Sequence, residues 1–138
     1  INYLAHNSRS YIFSAALTPA ATAAALEALH IMQEEPEPIE HLWQLTRYAI
    51  EGFRALGFET GATQTPIIPL YVRDMDKTFQ VTRMLFDEGV FVNPVVPPAC
   101  ASGDTLIRFS LMATHTKAQV DLAFEKMLKC FKALEIFG

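Results

Sequence analysis

The chain has 138 residues, 51% of them hydrophobic and 19% charged, with a formal net charge of −4. That is enough to bury the core of one domain, or of one domain with a piece of another. The acidic balance, with no basic stripe and no Lys/Arg-rich run, argues against a nucleic-acid or anionic-membrane surface.

The opening "INYLAHNSRS" lacks the basic segment and apolar run of a signal peptide. It reads as an element entered partway, and a fragment of a longer protein is expected. "IFSAALTPAATAAALEALHIM" has the apolar look of a membrane span, but Pro19, Glu27 and His30 interrupt it. A buried helix is expected instead, and no transmembrane segment. Thr18 before Pro19 marks its start, a hydroxyl N-cap followed by proline at the first helical position. "EEPEPIE" (34–40) ends it and marks a joint between domains.

Ile39, Leu42, Trp43, Thr46, Ala49, Ile50, Phe53 and Leu56 then recur at helical spacing until Gly57. "TPIIPLYV" (65–72) reads as a proline-flanked edge strand. Residues 74–88 form a second amphipathic helix closed by Gly89. A short strand over 90–96 runs into "PPACASGD", a loop by composition. "TLIRFSLM" (105–112) is the third strand. Thr116 and Gln119 make a capping box, after which Val120, Ala123, Phe124, Met127, Phe131 and Leu134 line one face. The order helix, strand, helix, strand, strand, helix builds an α+β layer: one sheet of about three strands covered by helices.

Period two puts Ile107, Phe109 and Leu111 of the third strand on one face, and Leu106, Arg108, Ser110 and Met112 on the other. A guanidinium buried without a partner is expensive. Three readings of Arg108 stay open on the residues alone: a carboxylate elsewhere in the fold, solvent at a sheet edge, or an anionic ligand. The four histidines show no metal-ligand spacing, and no metal site is expected. There is no phosphate-binding glycine fingerprint, and Ser14 and Ser110 lack a nucleophile-elbow context. Cys100 and Cys130 read as reduced thiols.

The ordered set "SRSYIFSAALTPA", "GATQTPIIPLYV" and "LFDEGVFVNPVVPPACASGDTLIRFSLMATHT" resembles the C-terminal portion of the α-oxoamine synthases. These are pyridoxal-phosphate enzymes of fold type I, and the resemblance covers essentially the whole chain. It implies that 1–35 is the C-terminal end of a large cofactor-binding domain and 36–138 the small C-terminal domain. Within the family, "PIIPLYVRDMDKTF", "GVFVNPVVPPA" and "LIRFSLMATHT" look most like the bacterial branch that condenses L-serine with a long-chain acyl-CoA, with decarboxylation. Sister members such as 8-amino-7-oxononanoate synthase and 2-amino-3-ketobutyrate CoA ligase share the skeleton and stay open as alternatives. So does a non-catalytic binding or dimerisation module.

The resemblance further implies that Arg108 contacts the carboxylate of the amino-acid substrate. It implies that Pro98, Ala99 and Cys100 belong to a mobile loop over the substrate; Cys100 and Ala101 depart from the family's "PPATP"-like pattern. Ser14 and Ala16 match a segment that reaches the phosphate of the partner subunit's pyridoxal phosphate, in a homodimer. The Schiff-base lysine would precede Ile1, so no catalytic residue is expected on this chain, no covalently held cofactor, and no activity from it alone. A cytoplasmic parent follows. Separated from such a parent, the helix over 18–34 would expose apolar surface.

Overall fold

Local capping chemistry sets the ends of most helices in the computed structural model, which describes residues 1–12 and 17–137. The chain divides into two units, Ile1–Pro36 and Glu37–Gly138.

The first unit holds α1 (Asn2–Asn7), α2 (Arg9–Ile12) and α3 (Pro19–Glu34). The Thr18 hydroxyl caps α3 by accepting the Ala21 N–H at 3.3 Å, with Pro19 opening the helix. The sequence reading expects a buried helix, but α3 has no buried residue. Leu26, Leu29, Ile31 and Met32 are all exposed, because nothing among the described residues covers them. The two short helices before it carry no sequence signal that the reading detected.

In the second unit the elements are α4 (Glu37–Ala55), β1 (Ile67–Tyr71), α5 (Met75–Asp87), β2 (Asn93–Val95), β3 (Leu106–Ser110) and α6 (Lys117–Ala133). This is the expected helix–strand order. Asp74 caps α5 through the Lys77 N–H at 2.8 Å. Thr116 and Gln119 exchange both bonds of the capping box on α6. At their C-termini, α4 and α5 turn into the left-handed region at Gly57 (φ 88°) and Gly89 (φ 82°). There the Phe58 N–H returns to the Phe53 carbonyl and the Val90 N–H to that of Leu85. Each helix stops in the same wrapped turn.

The strands form one antiparallel sheet in the order β1-β3-β2. Pro69 in β1 and Pro94 in β2 sit on the two edges, where a missing N–H spoils no ladder between strands. The proline-free β3 takes the centre. Ile68, Leu70, Ile107 and Phe109 point inward and join Leu45, Ala49 and Phe53 of α4, Val81 and Leu85 of α5, and Val120, Met127 and Phe131 of α6 in one core. Phe53 is its hub, with edge-on rings of Phe58, Phe109 and Phe124 at 5.3, 5.2 and 4.7 Å. The helices therefore cover one face of the sheet. The opposite face carries the site.

Candidate functional site

Alternation along three registered strands decides what that opposite face presents. Pro69, Arg108 and Asn93 form one row across β1, β3 and β2; Tyr71, Leu106 and Val95 form the next. Ile67 lies across from Ser110 at the far end. Apart from Asn93, Arg108 and Ser110 this is an apolar or aromatic floor, half-buried to exposed. A single guanidinium stands near its middle.

Arg108 is exposed, on the face that period two assigns to it, and on the central strand rather than an edge. Among the described residues no carboxylate pairs with it. Its hydrogen-bond partner is a neutral amide, Nη2 donating to Asn93 Oδ1 at 3.4 Å. Of the three readings of Arg108, an ion pair inside the fold is therefore not what the described residues form.

Arg73 is the contrast. Its Nε donates to Glu59 Oε2 at 2.9 Å, Nη1 to Asp104 Oδ1 at 2.7 Å, and Nη2 to the other oxygen of Glu59. The guanidinium also lies 4.8 Å from the centroid of Tyr71. This pairing holds the Glu59 carboxyl below the usual glutamate range and raises the arginine's own pKa. The carbonyl of Thr105 accepts the N–H of both Val72 and Arg73, at 3.0 and 2.9 Å. Arg73 thus fastens the end of β1 to the last residues of the 96–105 loop. Sequence reasoning missed this clamp; an arginine before a helix-capping Asp74 gives no local sign of partners 14 and 31 residues away.

The loop itself joins β2 to β3. Ala99 N–H closes a turn onto Val96 O, Asp104 N–H another onto Ala101 O, and Cys100 Sγ lies 3.6 Å from Val95 O. Pro98 and Ala99 are exposed and Cys100 is half-buried. Val95 pairs with Leu106 at the loop's mouth and Asn93 with Arg108 two residues in, about 7 Å further along the strands. The loop therefore opens two residues from the arginine along the strands, although no hydrogen bond joins Arg108 to Pro98, Ala99 or Cys100 among the described residues. Ser14 and Ala16 lie outside the described residues.

The second unit has two further features. His41 Nε2 donates to the His115 carbonyl at 2.9 Å, and His115 Nδ1 accepts the Met112 N–H at 3.1 Å. This pair, 74 residues apart, ties the turn after β3 to α4. Grooves of about 300 Å³ beside Glu59 and Arg73 and about 360 Å³ beside Trp43 and Arg47 are not lined by Arg108.

What the arrangement can do is bind an anion of carboxylate shape. A planar fork with most of its donors free, on a partly apolar floor, suits two-point recognition. Lys126 and Lys129 are held by Glu88, Lys77 reaches the Glu135 carbonyl, and Lys117 lies over the Tyr48 ring. Lys132 sits in the last turn of α6. Among the described residues no group of His, Cys, Asp and Glu could hold a metal ion, and no helix is long and apolar enough to cross a membrane.

The family model for class I and II aminotransferases matches residues 1–127. Serine palmitoyltransferase of Bacteroides ovatus is 67% identical over 136 residues, 99% of this chain and 34% of its own length. An 8-amino-7-oxononanoate synthase of Thermosipho melanesiensis is 40% identical over 99% of this chain and 35% of its own. Among solved structures, a variant serine palmitoyltransferase from S. paucimobilis with PLP–myriocin bound superposes with a TM-score of 0.82. It is 28% identical, and the match covers 99% of this chain and 35% of that one. The chain thus spans about a third of the length of the relatives it matches.

Proposed function

The chain belongs to the class I and II aminotransferase family, and on that premise we propose that it is the C-terminal portion of a pyridoxal-phosphate-dependent acyltransferase. The reaction proposed is condensation of L-serine with a long-chain acyl-CoA, with release of CoA and carbon dioxide. The observation that carries this reading is Arg108: an exposed guanidinium at the centre of a sheet face, paired with an amide instead of an acid. The 67% identity to a serine palmitoyltransferase supports the choice of substrates.

In this reading Arg108 grips the serine carboxylate through two parallel N–H···O bonds. Holding that group fixes how the bonds at the substrate's Cα are oriented, which is where positioning lowers a barrier most. The largely apolar floor of Pro69, Leu106, Tyr71 and Val95 offers no competing polar side chain other than the Tyr71 hydroxyl beside the ion pair. The loop carrying Pro98, Ala99 and Cys100 gates access, with its far end anchored by Arg73. Pyridoxal phosphate would supply the electron sink, with Ser14 and Ala16 reaching the phosphate of a partner subunit's cofactor. The described residues add substrate binding, not the cofactor's own contacts. The reading includes a homodimeric, cytoplasmic parent, and the free thiols of Cys100 and Cys130 fit a reducing compartment.

The test is CoA release by the full-length parent with palmitoyl-CoA and, in turn, L-serine, L-alanine and glycine. Highest kcat/KM with L-serine is expected. Preference for alanine or glycine would favour a sister synthase, to which Arg108 is equally suited because all three amino acids share the carboxylate. Absence of CoA release with each of them would overturn the long-chain acyl-CoA reading.

A further inference from the structure

We propose that Asn93 is a positioning residue for the carboxylate grip of Arg108, and that it serves because it is neutral. The inference rests on the reading of Arg108 as the carboxylate-binding residue.

Asn93 is the direct cross-strand partner of Arg108 on β2, on the same face of the sheet. Across the other flank stands Pro69, whose side chain has no polar atom. Any side-chain orientation imposed on the guanidinium from within its row therefore comes from position 93. The contact seen is one donor of the guanidinium, Nη2, on one amide oxygen at 3.4 Å. A guanidinium has five N–H donors in a planar fork. One occupied donor restricts the rotamers of a long side chain and so lowers the ordering cost of binding. The remaining donors stay open for a carboxylate.

The charge of the partner matters as well as its position. An amide leaves the positive charge of Arg108 uncompensated. A carboxylate at position 93 could accept the same hydrogen bond, but it would neutralise the fork and compete with the ligand. The chain contains that alternative arrangement at Arg73, whose donors are taken by Glu59 and Asp104. Two exposed arginines near one sheet thus differ in the charge of their partners, acidic at Arg73 and neutral at Arg108.

The experiment uses the full-length enzyme loaded with pyridoxal phosphate and reads the dissociation constants of L-serine and ethanolamine from the cofactor's visible spectrum. Ethanolamine keeps the amine and hydroxyl of serine and lacks the carboxylate. Asn93→Ala is expected to raise the serine constant about three- to tenfold, and Asn93→Asp about tenfold beyond that. Neither substitution should move the ethanolamine constant. Wild-type serine affinity in Asn93→Asp would overturn the proposal, as would equal weakening of both ligands, the signature of a merely structural role. Arg108→Ala, measured in parallel, keeps the two ideas separable. If it leaves serine discrimination over ethanolamine intact, the carboxylate reading fails; if it alone abolishes discrimination, only the role of Asn93 fails.

Discussion

Arg73 and Arg108 are the same side chain in two electrostatic settings. Arg73 is paired with two carboxylates and lies over an aromatic ring at the surface, where it joins the end of β1 to the root of the neighbouring loop. Arg108 makes one long contact with an amide and is exposed. An exposed charge without an acidic partner adds little to its own fold. Arg108→Ala should therefore leave the denaturant unfolding free energy of the chain within about 0.5 kcal/mol of the parent. Arg73→Ala should lower the unfolding free energy by about 1 kcal/mol, since its ion pairs are half exposed. A marked loss of stability from Arg108→Ala would place the residue in the fold's own framework instead.

The helices show how far short-range signals reach. Gly57 and Gly89 announce the stops of α4 and α5, and Asp74 and Thr116 the starts of α5 and α6. The stop of α6 gives no such warning: Glu135 takes the left-handed position at φ 50°, with the Ile136 N–H returning to the Phe131 carbonyl. Glutamate pays a steric penalty there that glycine avoids, so Glu135→Gly should stabilise the chain by about 0.5–1 kcal/mol despite glycine's greater freedom when unfolded. Urea denaturation measures it. Gly52 predicts the opposite sign. A Cβ built there would lie 2.3 Å from Cζ of Phe124, which is wedged against Phe53. Gly52→Ala gains about 1 kcal/mol of helix propensity but forces overpacking worth about 1–3 kcal/mol, and net destabilisation is expected. The end of α5 is tied to α6 by Glu88, which meets Lys126 at 2.9 Å and Lys129 at 2.5 Å. These lysines hold its carboxyl down to about 2 from the ordinary 4.5. The folded value lies below the unfolded one, so this contribution is present above about pH 4.5 and lost as the pH falls toward 2. Thermal unfolding of Glu88→Gln and the parent should therefore differ at neutral pH and converge across that acidic window.

At the scale of the molecule, what was legible in the sequence is what depends on near neighbours. Helical spacing, caps and the inward set Ile107, Phe109 and Leu111 are local patterns, and the strand order is hinted at by which strands contain proline. The face opposite the helices was half legible. Period two gave the side on which Arg108 stands, but the residues beside it depend on the register of β1 and β2 against β3. That register is fixed across the 96–105 loop and across α5, so Asn93, Pro69 and the Arg73 clamp could not be read from spacing. The first unit shows the complementary limit. Composition suggested that α3 would be covered, while coverage depends on what packs against it, and no residue of α3 is buried. The chain is about a third the length of its relatives.

The most direct measurement is the affinity of the full-length, pyridoxal-phosphate-loaded enzyme for L-serine with and without Arg108→Ala, followed by the cofactor's visible spectrum. The variant should keep the unliganded spectrum of the parent and bind serine at least about thirtyfold more weakly, the loss expected when one partner of a desolvated charge pair is removed. Unchanged serine affinity would contradict the assignment of Arg108, and with it the function built on this face of the sheet.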